Sequence, residues 1–435
     1  MFLIKVNHSR IMFRAFYTLL ILVVSPLFLY SLLKKRSDKP HIGRRWIEYF
    51  GYCEPVKTSE PVIWLHTVSV GEVIGATPFV KALKLRYPHT KVVMTTTTTT
   101  GAAQAEKLGP LVEHRFMPLD FPWAIKRFIR RIQPSQLLIM ETELWPNTLA
   151  ITHRMQVPIA VINARLSARS CGRYQKLPAI GAFLARHIDQ IFCLHQDDAE
   201  RFKALGFRAD QLSVTGSLKF DITVADSVIR AGKQLRYRLG AKRPVWIAAS
   251  THQGEDAIVL AAHRLLLKRC PDALLILVPR HPERFQSVAG EITEHGLSYE
   301  RRTDNHKGAM LSQVYLADTM GEMMQLLAAS DVCFMGGSLL GDKVGGHNLL
   351  EPAALSLPTL TGPSYFNFSD IAGQLIAAQA TVVCDSHERI AEALIHLLDH
   401  PEQRIECGQH AYRVVQHNRG AIDRTLTGLF PNEDA

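Results

Sequence analysis

The sequence lacks the short motifs that mark the commonest nucleotide-dependent and hydrolytic enzymes. It has no Walker A loop, no GxGxxG fingerprint, no HExxH zinc motif and no GxSxG elbow. These absences remove the main support for a kinase, a dehydrogenase, a zinc protease or a serine hydrolase. The Asp-x-Asp motif that recruits a divalent metal to a nucleotide sugar is missing too. We therefore expect neither a bound metal nor a cofactor.

Closely spaced cysteine pairs are also missing. The seven cysteines stand singly along the chain, and their odd number argues against a complete disulfide framework. Several lie in apolar runs, as Cys193 does, where a thiol packs as a small hydrophobe. The pattern argues against a zinc or redox site and indicates a reducing compartment, the cytoplasm.

The chain does have an ordinary globular composition with an excess of positive charge. Hydrophobic residues make up 47% and charged residues 21%, so disorder is excluded, and 435 residues predict two or three domains. The net charge of +10 indicates an anionic partner: a phosphorylated substrate, an anionic membrane or nucleic acid. Nucleic acid is the least expected of these, because the basic residues lie in separate loops and not along one aromatic-lined stripe.

The N-terminus departs from a soluble pattern. From Ala15 to Leu33, 19 residues are uncharged and mostly aliphatic or aromatic, which is just long enough for a spanning helix. Six basic residues follow within residues 34–45 and three precede it, which predicts that the remainder of the chain stays cytoplasmic. We expect a membrane-anchor helix within residues 1–36. A cleaved signal peptide and a shallow interfacial helix are the alternatives.

Beyond residue 36, short apolar runs alternate with helical patterns. Continuous aliphatic runs indicate strands buried on both faces of parallel sheets, and helices such as residues 74–87 and 256–269 supply the crossovers. About six strands in each half, divided by the charged stretch 222–243, predict an α/β protein of two doubly wound, Rossmann-like domains, 37–228 and 229–435, facing a cleft. The predicted strands are 62–66, 91–95, 137–140, 159–163, 190–194, 213–215, 245–249, 274–278, 314–317, 332–335, 359–361 and 381–384.

Candidate site residues should follow the strands, because ligands of such sheets bind at the carboxyl ends of strands. Glu72 follows the first strand and Gly71. It is consistent with a catalytic base, and equally with a carboxylate that complements the helix dipole, which would lower its pKa. The tract 95–100, six threonines, is interpreted as a strand end followed by a helix cap.

Later strands of the first half carry further charged candidates. Glu141 and Glu143 lie in a loop that is either a site or the capped entrance of a helix. Arg165, Arg169 and Lys219 are suited to phosphates or a carboxylate, and as a solvated basic face they would carry no function.

The second half has four loops with donors suited to phosphate. Ser250 and Thr251 offer hydroxyl and backbone donors, and Arg280 with His281 forms a cationic loop between prolines. A glycine-containing helix start is predicted at residues 319–323, and a glycine-rich loop opens a helix near Gly346. One glycine pair alone would indicate a tight turn, whereas four such loops at one sheet edge indicate a nucleotide site.

Taken together, these segments resemble the Kdo (3-deoxy-D-manno-octulosonic acid) transferases of lipopolysaccharide biosynthesis. The matching segments occur in the family's order and cover nearly the whole chain after the apolar N-terminal run. They are SVGE (69–72), ETELWPN (141–147), NARLSARS (163–170), GSLKFD (216–221), STHQGE (250–255), PRHPER (279–284), TMGEM (319–323) and GGHNLLEP (345–352).

The resemblance implies a GT-B fold in which the first domain binds the acceptor, lipid IVA (the lipid A precursor), and the second binds CMP-Kdo. It implies an inverting transfer with Glu72 as general base, at the cytoplasmic face of the inner membrane, in contact with inner-membrane lipid. The cytidylate pocket would comprise Arg280, His281, Gly321, Glu322, Met323, Asn348 and Glu351, with Ser250, Thr251 and Gly346 as further donors. Glu141, Glu143, Arg165, Arg169 and Lys219 are the acceptor or anion candidates.

Two alternatives to this function remain at the level of sequence. One is a UDP-sugar-dependent GT-B transferase or epimerase. The other is a membrane-tethered nucleotide-binding protein without turnover.

Overall fold

The computed structural model describes residues 14–27, 30, 42–304 and 312–431. It contains two seven-stranded sheets in which every pairing is parallel. The predicted α/β class and parallel pairing are therefore confirmed. Each sheet has seven strands where about six were predicted.

The first sheet has the order β3-β2-β1-β4-β5-β6-β7. Its strands are β1 (Val62–His66), β2 (Lys91–Thr96), β3 (Glu113–Phe116), β4 (Gln136–Met140), β5 (Ile159–Ala164), β6 (Gln190–Cys193) and β7 (Leu212–Val214). The chain builds one half of the sheet outward from β1 and returns to β4 beside it, so the strand order reverses between β1 and β4.

The second sheet has the order β10-β11-β9-β8-β12-β13-β14. Its strands are β8 (Val245–Thr251), β9 (Leu274–Pro279), β10 (Tyr299–Arg301), β11 (Val314–Leu316), β12 (Val332–Met335), β13 (Thr359–Thr361) and β14 (Thr381–Val383). Its order reverses between β8 and β12, which makes that junction the counterpart of the β1/β4 junction.

Helices connect the strands. Residues 14–27 are helical and are called α1. The others are α2 (Val70–Arg86), α3 (Thr99–Glu106), α4 (Pro122–Ile132), α5 (Pro146–Arg154), α6 (Ala168–Gln175), α7 (Pro178–His187), α8 (Gln196–Ala204), α9 (Asp226–Gly240), α10 (Glu255–Arg269), α11 (Phe285–Glu294), α12 (Met323–Ala328), α13 (Leu350–Ala354), α14 (Ser369–Ala377), α15 (His387–Asp399), α16 (Pro401–Asn418) and α17 (Ala421–Leu429). The threonine tract behaves as predicted: β2 ends at Thr96, and the Thr98 hydroxyl accepts the Gly101 N–H at the start of α3.

Both sheets carry apolar side chains on their two faces. In β1, Trp64 packs into one core cluster, whereas Ile63 and Leu65 pack into another on the opposite face. Successive side chains of a strand point to opposite faces, so a strand with five buried residues in a row must be covered on both sides. This is why continuous aliphatic runs located the strands correctly.

The two strands that the sequence did not reveal are both edge strands. β3 reads EHRF and β10 reads YER, and each pairs with a single neighbour. An edge strand exposes one side, so it tolerates charged residues and lacks the apolar run that marks a central strand. The Glu113 and Arg115 side chains of β3 pair with each other.

The chain divides into two compact units, residues 1–221 with 419–435, and residues 222–418. The sequence placed the division at 228/229 and kept the C-terminus in the second domain. The C-terminal segment belongs to the first unit: the Asp221 carboxylate accepts the N–H groups of Gly420 and Ile422 at the start of α17, and α17 packs apolar residues into the core of this unit. The assignment of acceptor and donor to these units stays a prediction.

α1 lies against the first unit with its polar residues inward. Within the residues that the structure describes, no helix combines the length and the apolar character needed to cross a membrane. Residues 1–13, 28, 29 and 31–36 of the predicted anchor lie outside the described residues. The exposed apolar side chains of α1 are Phe16, Leu19, Leu20, Leu22, Val23, Val24 and Leu27.

Candidate functional site

In each sheet, the predicted candidates follow strands on both sides of the reversal in strand order. In the first unit, Glu72 follows β1 and Glu141 follows β4, which are adjacent strands. In the second unit, Ser250 and Thr251 end β8, and a glycine pair follows β12, again adjacent. Ligands of open parallel sheets bind at such junctions. The fold therefore places these residues where a site is expected.

The Glu72 carboxylate is held in the first turn of α2. Ser69 caps the helix: its hydroxyl accepts the Glu72 N–H and donates to Glu72 Oε1 over 3.2 Å. The Val68 N–H donates to Glu72 Oε2 over 2.9 Å. The pattern is close to a capping box, with the Val68 N–H in place of the N–H of the N-cap residue Ser69, and it fixes the carboxylate in one position. Glu72 thus has the capping role that the sequence left open, in a geometry that also preorganises a base.

Burial raises the pKa of Glu72 to about 7. The Val68 N–H and the Ser69 hydroxyl act in the opposite direction, and the negative charges of Glu141 and Glu143 raise the pKa further. A helix dipole lowers the pKa of a carboxylate at this position, and here the loss of hydration at the buried Glu72 carboxylate outweighs that contribution. A carboxyl group with this pKa can accept a proton near neutral pH.

Glu141 and Glu143 lie in the segment of residues 141–145 between β4 and α5. Glu141 Oε1 lies 3.9 Å from Lys219 Nζ, and the Trp145 indole N–H donates to Glu143 over 3.2 Å. Trp145 itself precedes α5, which begins at Pro146, and packs against the core. The segment is thus the entrance of a helix, which is one of the two interpretations that the sequence allowed. It also brings the carboxylates of Glu141 and Glu143 near Glu72.

Three non-glycine residues at the carboxyl ends of strands have left-handed backbone angles. They are Glu141 with φ 60°, Asn163 with φ 53° and Ser250 with φ 58°. Such conformations cost free energy and concentrate at binding and catalytic sites. The Asn163 side chain accepts the Leu218 N–H over 3.0 Å, which ties the end of β5 to the turn that carries Lys219. Arg165 and Arg169 follow Asn163 with exposed side chains.

Asp120 and Asn147 of the first unit were not singled out from the sequence. Both are buried, and the Asn147 N–H donates to the Asp120 carboxylate over 2.9 Å. The signal that was available is an acidic residue inside the otherwise apolar stretch Met117–Trp123, where an ion needs partners. The partners themselves come from α5 and α1, far away in the chain, so only the fold reveals them.

In the second unit, Ser250 and Thr251 differ in what they can offer to a ligand. Ser250 is half-buried, whereas Thr251 is fully buried and its hydroxyl donates to Asp256 over 2.7 Å. The Arg284 guanidinium pairs with the same Asp256 carboxylate. The Thr251 hydroxyl therefore secures the loop after β8, which leaves Ser250 as the more accessible of the two predicted donors.

Glu255, a residue of the STHQGE motif, has a fully buried carboxylate that joins two loops. It accepts the backbone N–H groups of His252, Gly337, Ser338 and Leu339 over 2.7–3.0 Å. The loop after β8 and the loop after β12 are thereby fixed to each other. The sequence does not reveal this role, because Glu255 and its three later partners are more than 80 residues apart.

Arg280 lies in a group of imidazoles. His252 Nε2 and His347 Nε2 are 2.8 Å apart, and the His281 ring lies edge-on to His252 with 5.3 Å between centroids. Burial lowers the pKa of His347 to about 4, and the charge of Arg280 acts in the same direction. His347 is therefore neutral near pH 7, so the positive charge of this group is centred on Arg280, whose side chain is exposed.

The glycine-rich loop after β12 is longer than predicted. A helix was expected to begin near Gly346, but α13 begins at Leu350, because Gly346 has φ 75° and donates its N–H to Gly337 O over 2.8 Å. Asn348 Nδ2 donates to Glu351 Oε1 over 3.3 Å. Burial raises the pKa of Glu351, which the Asn348 contact and Arg280 partly offset. Asn348 and Glu351 thus form a polar pair within reach of the charge of Arg280.

The loop after β11 carries Gly321, Glu322 and Met323. Gly321 is exposed with φ 85°, and Glu322 immediately precedes α12, which begins at Met323, as the predicted helix start requires. The Glu322 carboxylate accepts hydrogen bonds from the Arg302 guanidinium and the Thr319 hydroxyl. These contacts hold the side chain in one orientation. The sequence did not single out Arg302.

Among the residues that the structure describes, no group of three or more His, Cys, Asp or Glu side chains could hold a metal ion.

Solved structures share this architecture. The UDP-GlcNAc 2-epimerase of Neisseria meningitidis, bound to UDP-GlcNAc, superposes with a TM-score of 0.55 at 14% identity, covering 86% of this chain and all of that one. The C-terminal CMP-Kdo binding domain of WaaA from Acinetobacter baumannii is 36% identical, with a TM-score of 0.42, and covers 44% of this chain and all of its own. The first similarity shows a GT-B-like fold and nothing about the ligand.

Sequence comparisons identify the family. The family model for 3-deoxy-D-manno-octulosonic-acid transferase (kdotransferase) matches residues 44–222, and that for glycosyl transferases group 1 matches residues 242–414. The 3-deoxy-D-manno-octulosonic acid transferase of Haemophilus influenzae is 40% identical over 426 residues, which cover 97% of this chain and 99% of the relative. The chain is an enzyme of the glycosyltransferase class and belongs to the Kdo transferase family, as its eight sequence motifs predicted.

Proposed function

We propose that the protein transfers Kdo from CMP-Kdo to a hydroxyl of lipid IVA, with inversion, and that Glu72 is the general base. The observation that carries this proposal is the Glu72 carboxylate: it lies at the β1/β4 junction, it is fixed by Ser69 and Val68, and its pKa is raised to about 7. Membership of the Kdo transferase family supports the sugar that is transferred.

In the proposed step, the acceptor hydroxyl oxygen bonds to the anomeric carbon of Kdo while the bond from that carbon to the CMP phosphate breaks. The hydroxyl proton passes to Glu72, and the electron pair of the broken bond leaves with CMP. Arg280 and the Ser250 hydroxyl are suited to the negative charge that develops on the phosphate. A cation and a hydrogen-bond donor can supply this stabilisation without a metal.

The donor pocket is proposed in the second unit. Arg280 would bind the phosphate, with the Ser250 hydroxyl as a further donor. Gly346 would act by shaping the loop, because its own N–H is bound to Gly337 O. Asn348 and Glu351 are suited to the ribose hydroxyls, and His281, Gly321, Glu322 and Met323 would line the cytidine. Thr251 would act by holding the loop, because its own hydroxyl is bound to Asp256.

The acceptor is proposed to bind the first unit. Arg165, Arg169 and Lys219 would contact its phosphates, and Glu141 and Glu143 would orient its sugar hydroxyls. The apolar side of α1 faces away from the unit, which suits contact with lipid. We propose attachment at the cytoplasmic face of the inner membrane, which the basic residues after Leu33 favour.

Arg280→Met should weaken CMP binding about 10- to 100-fold, because a hydrogen-bonded charge contributes about 1.5–3 kcal/mol. Titration calorimetry with CMP measures this. The matched control is Arg389→Met, which removes an exposed arginine on α15 that pairs with Glu392. An unchanged CMP affinity in Arg280→Met would remove this residue from the donor pocket.

The pH dependence of kcat/KM should report the ionisation of Glu72. A base must be ionised to accept a proton, so we expect the rate to rise with pH through about 7 and to fall roughly tenfold per unit below that. Initial rates in buffers of constant ionic strength measure the profile. A profile that is flat between about pH 6 and 8 would mean that the base has an ordinary carboxyl pKa, contrary to the burial of Glu72.

Competition between nucleotides tests the donor. We expect CMP to inhibit transfer and UDP to leave it unchanged at the same concentration. Inhibition by UDP alone would replace the proposal with the UDP-sugar alternative. CMP binding without any transfer to the acceptor, in folded protein, would favour the non-catalytic alternative.

A further inference from the structure

The helix α1 docks on the first unit through polar side chains. Tyr17 and Thr18 follow Arg14 by three and four residues, so all three side chains lie on one side of the helix. Their partners are Asp120 and Asn147, two residues of the body of the unit. An apolar helix that turns its few polar groups inward and its apolar side chains outward is docked by specific hydrogen bonds and not by burial of its apolar face.

Asp120 is the centre of these contacts. It lies in the loop between β3 and α4, 4% exposed, and its carboxylate accepts the Asn147 N–H over 2.9 Å. It also accepts the N–H and the hydroxyl of Thr148, each over 2.6 Å, and a hydrogen bond from Tyr17. Three of these donors belong to the first residues of α5, where backbone N–H groups have no partner within the helix. Asp120 thus fixes the start of α5 and binds α1 with the same carboxylate.

Asn147 is fully buried and bonds in three directions. Its Oδ1 accepts the Arg14 guanidinium over 3.2 and 3.3 Å, and its Nδ2 donates to the Thr18 hydroxyl over 2.9 Å and to the Asp120 backbone carbonyl over 2.7 Å. The Thr18 hydroxyl in turn donates to the Arg14 carbonyl over 2.7 Å. The side chain of Asn147 is therefore shared between α1 and the body of the unit.

The start of α5 is also the end of the segment of residues 141–145. Pro146 is the first residue of α5, and Trp145 before it lies edge-on to the ring of His66, the last residue of β1, with 5.3 Å between centroids. Glu141 at the other end of the segment is held at φ 60°. Five residues with a fixed end and a left-handed start have little freedom, so the position of Asn147 constrains where Glu143 lies.

We propose that Asp120 and Asn147 are positioning residues, which couple the docking of α1 to the placement of residues 141–145 beside Glu72. On this view α1 contributes to turnover in addition to any attachment. The proposal rests on the proposed function for its kinetic consequence, but its structural half stands on the contacts within the first unit alone.

If the contacts between α1 and the start of α5 are weakened, we expect Glu72 to be a less effective base and to have a lower pKa. The groups that face the Glu72 carboxylate are the Val68 N–H, the Ser69 hydroxyl, and the carboxylates of Glu141 and Glu143, with Lys219 beside Glu141. A mobile segment lets water approach Glu72 and increases its average distance from the two carboxylates. Both changes lower the pKa of Glu72. Misplacement of a positioned group by about 1 Å can cost up to about 100-fold in rate.

The test uses the full chain in detergent or membranes and a double variant, Tyr17→Phe with Thr18→Val. It removes the hydrogen bonds of Tyr17 with Asp120 and of Thr18 with Asn147, keeps those of Arg14, and leaves the charge of the N-terminal segment unchanged. The matched control is Gln211→Ala, which removes a buried amide that donates to the carbonyls of Ala185 and Ile188, elsewhere in the same unit. Three quantities are measured: hydrogen–deuterium exchange of residues 141–149, kcat with the donor KM, and the pH profile.

We expect faster exchange of residues 141–149 in the double variant, kcat lowered about tenfold with an unchanged donor KM, and an acidic limb moved to lower pH. Gln211→Ala should lower the free energy of unfolding. Its hydrogen–deuterium exchange at residues 141–149 and the acidic limb of its pH–rate profile should match those of wild type. Unchanged exchange at 141–149 in the double variant would overturn the proposal whatever the activity. Faster exchange with an unchanged kcat and pH profile would overturn its kinetic half. Wild type that does not transfer Kdo would contradict the proposed function instead, and the exchange comparison would still decide the coupling.

Discussion

Glu72→Gln is expected to lower kcat about 10²- to 10⁴-fold at pH 7 to 8, which is the usual contribution of a general base. The amide keeps the size of the carboxyl group and one oxygen that can accept the Val68 N–H, so the start of α2 should remain folded. What is lost is the capacity to take a proton. Initial rates of Kdo transfer, with CMP affinity measured on the same preparations, separate this loss from a loss of binding.

The control for Glu72→Gln is Glu388→Gln. Glu388 also lies in the first turn of a serine-capped helix, α15, but its side chain is exposed. It should retain wild-type kcat, since a first-turn carboxylate as such has no part in the reaction. A Glu72→Gln protein with wild-type kcat would leave Glu72 as a capping residue only and would direct attention to Glu141 and Glu143.

Glu255→Ala is expected to lower the free energy of unfolding of the second unit by about 3–5 kcal/mol and to abolish measurable CMP binding. The substitution leaves four backbone N–H groups without the buried carboxylate that accepts them. An unpaired buried donor costs about 1–3 kcal/mol of stability. Water that enters the vacated space can accept some of the four N–H groups, so the total loss is smaller than four times that cost. The loops after β8 and β12 would also lose their connection, and both carry residues of the proposed donor pocket.

Hydrogen exchange of the β8 and β12 amides, measured at increasing urea concentrations, reports the stability of the second unit without contribution from the first. Glu388→Ala serves as the control, because its exposed side chain should leave the midpoint unchanged. Exchange in β1 and β4 should be the same in both variants. If Glu255→Ala kept the wild-type midpoint and CMP affinity, the four N–H groups would have other acceptors and the loops would be fixed independently of Glu255.

The sequence predicted the central strands and two of the four edge strands well, and missed the other two edge strands. β1, β12 and β13 begin and end at the predicted residues, and every residue of these three strands is buried. β3 and β10 carry charges and lie at sheet edges, so their pairing depends on a neighbour that the local sequence does not specify. The late start of α13 has a similar cause: Gly346 is held in an extended loop by a hydrogen bond to Gly337, nine residues earlier.

Candidate site residues could be selected from the sequence where they directly follow a buried strand. Glu72 stands out because it follows a buried strand and a glycine. Its raised pKa was not predictable, since it depends on burial and on the carboxylates of Glu141 and Glu143, about 70 residues away. Asp120 and Glu255 were missed for the same reason: each is an acidic residue whose donors are supplied by distant segments. Their burial distinguishes them from surface carboxylates, and burial is a property of the fold.

The most direct test of the central claim is the transfer of Kdo from CMP-Kdo to lipid IVA by membranes that carry the protein, with products identified by mass spectrometry and a chelator present. The account predicts lipid products heavier by whole Kdo units, released CMP, and no dependence on added metal. Absence of such products from a folded preparation that binds CMP, or product formed from a UDP-sugar in place of CMP-Kdo, would contradict it.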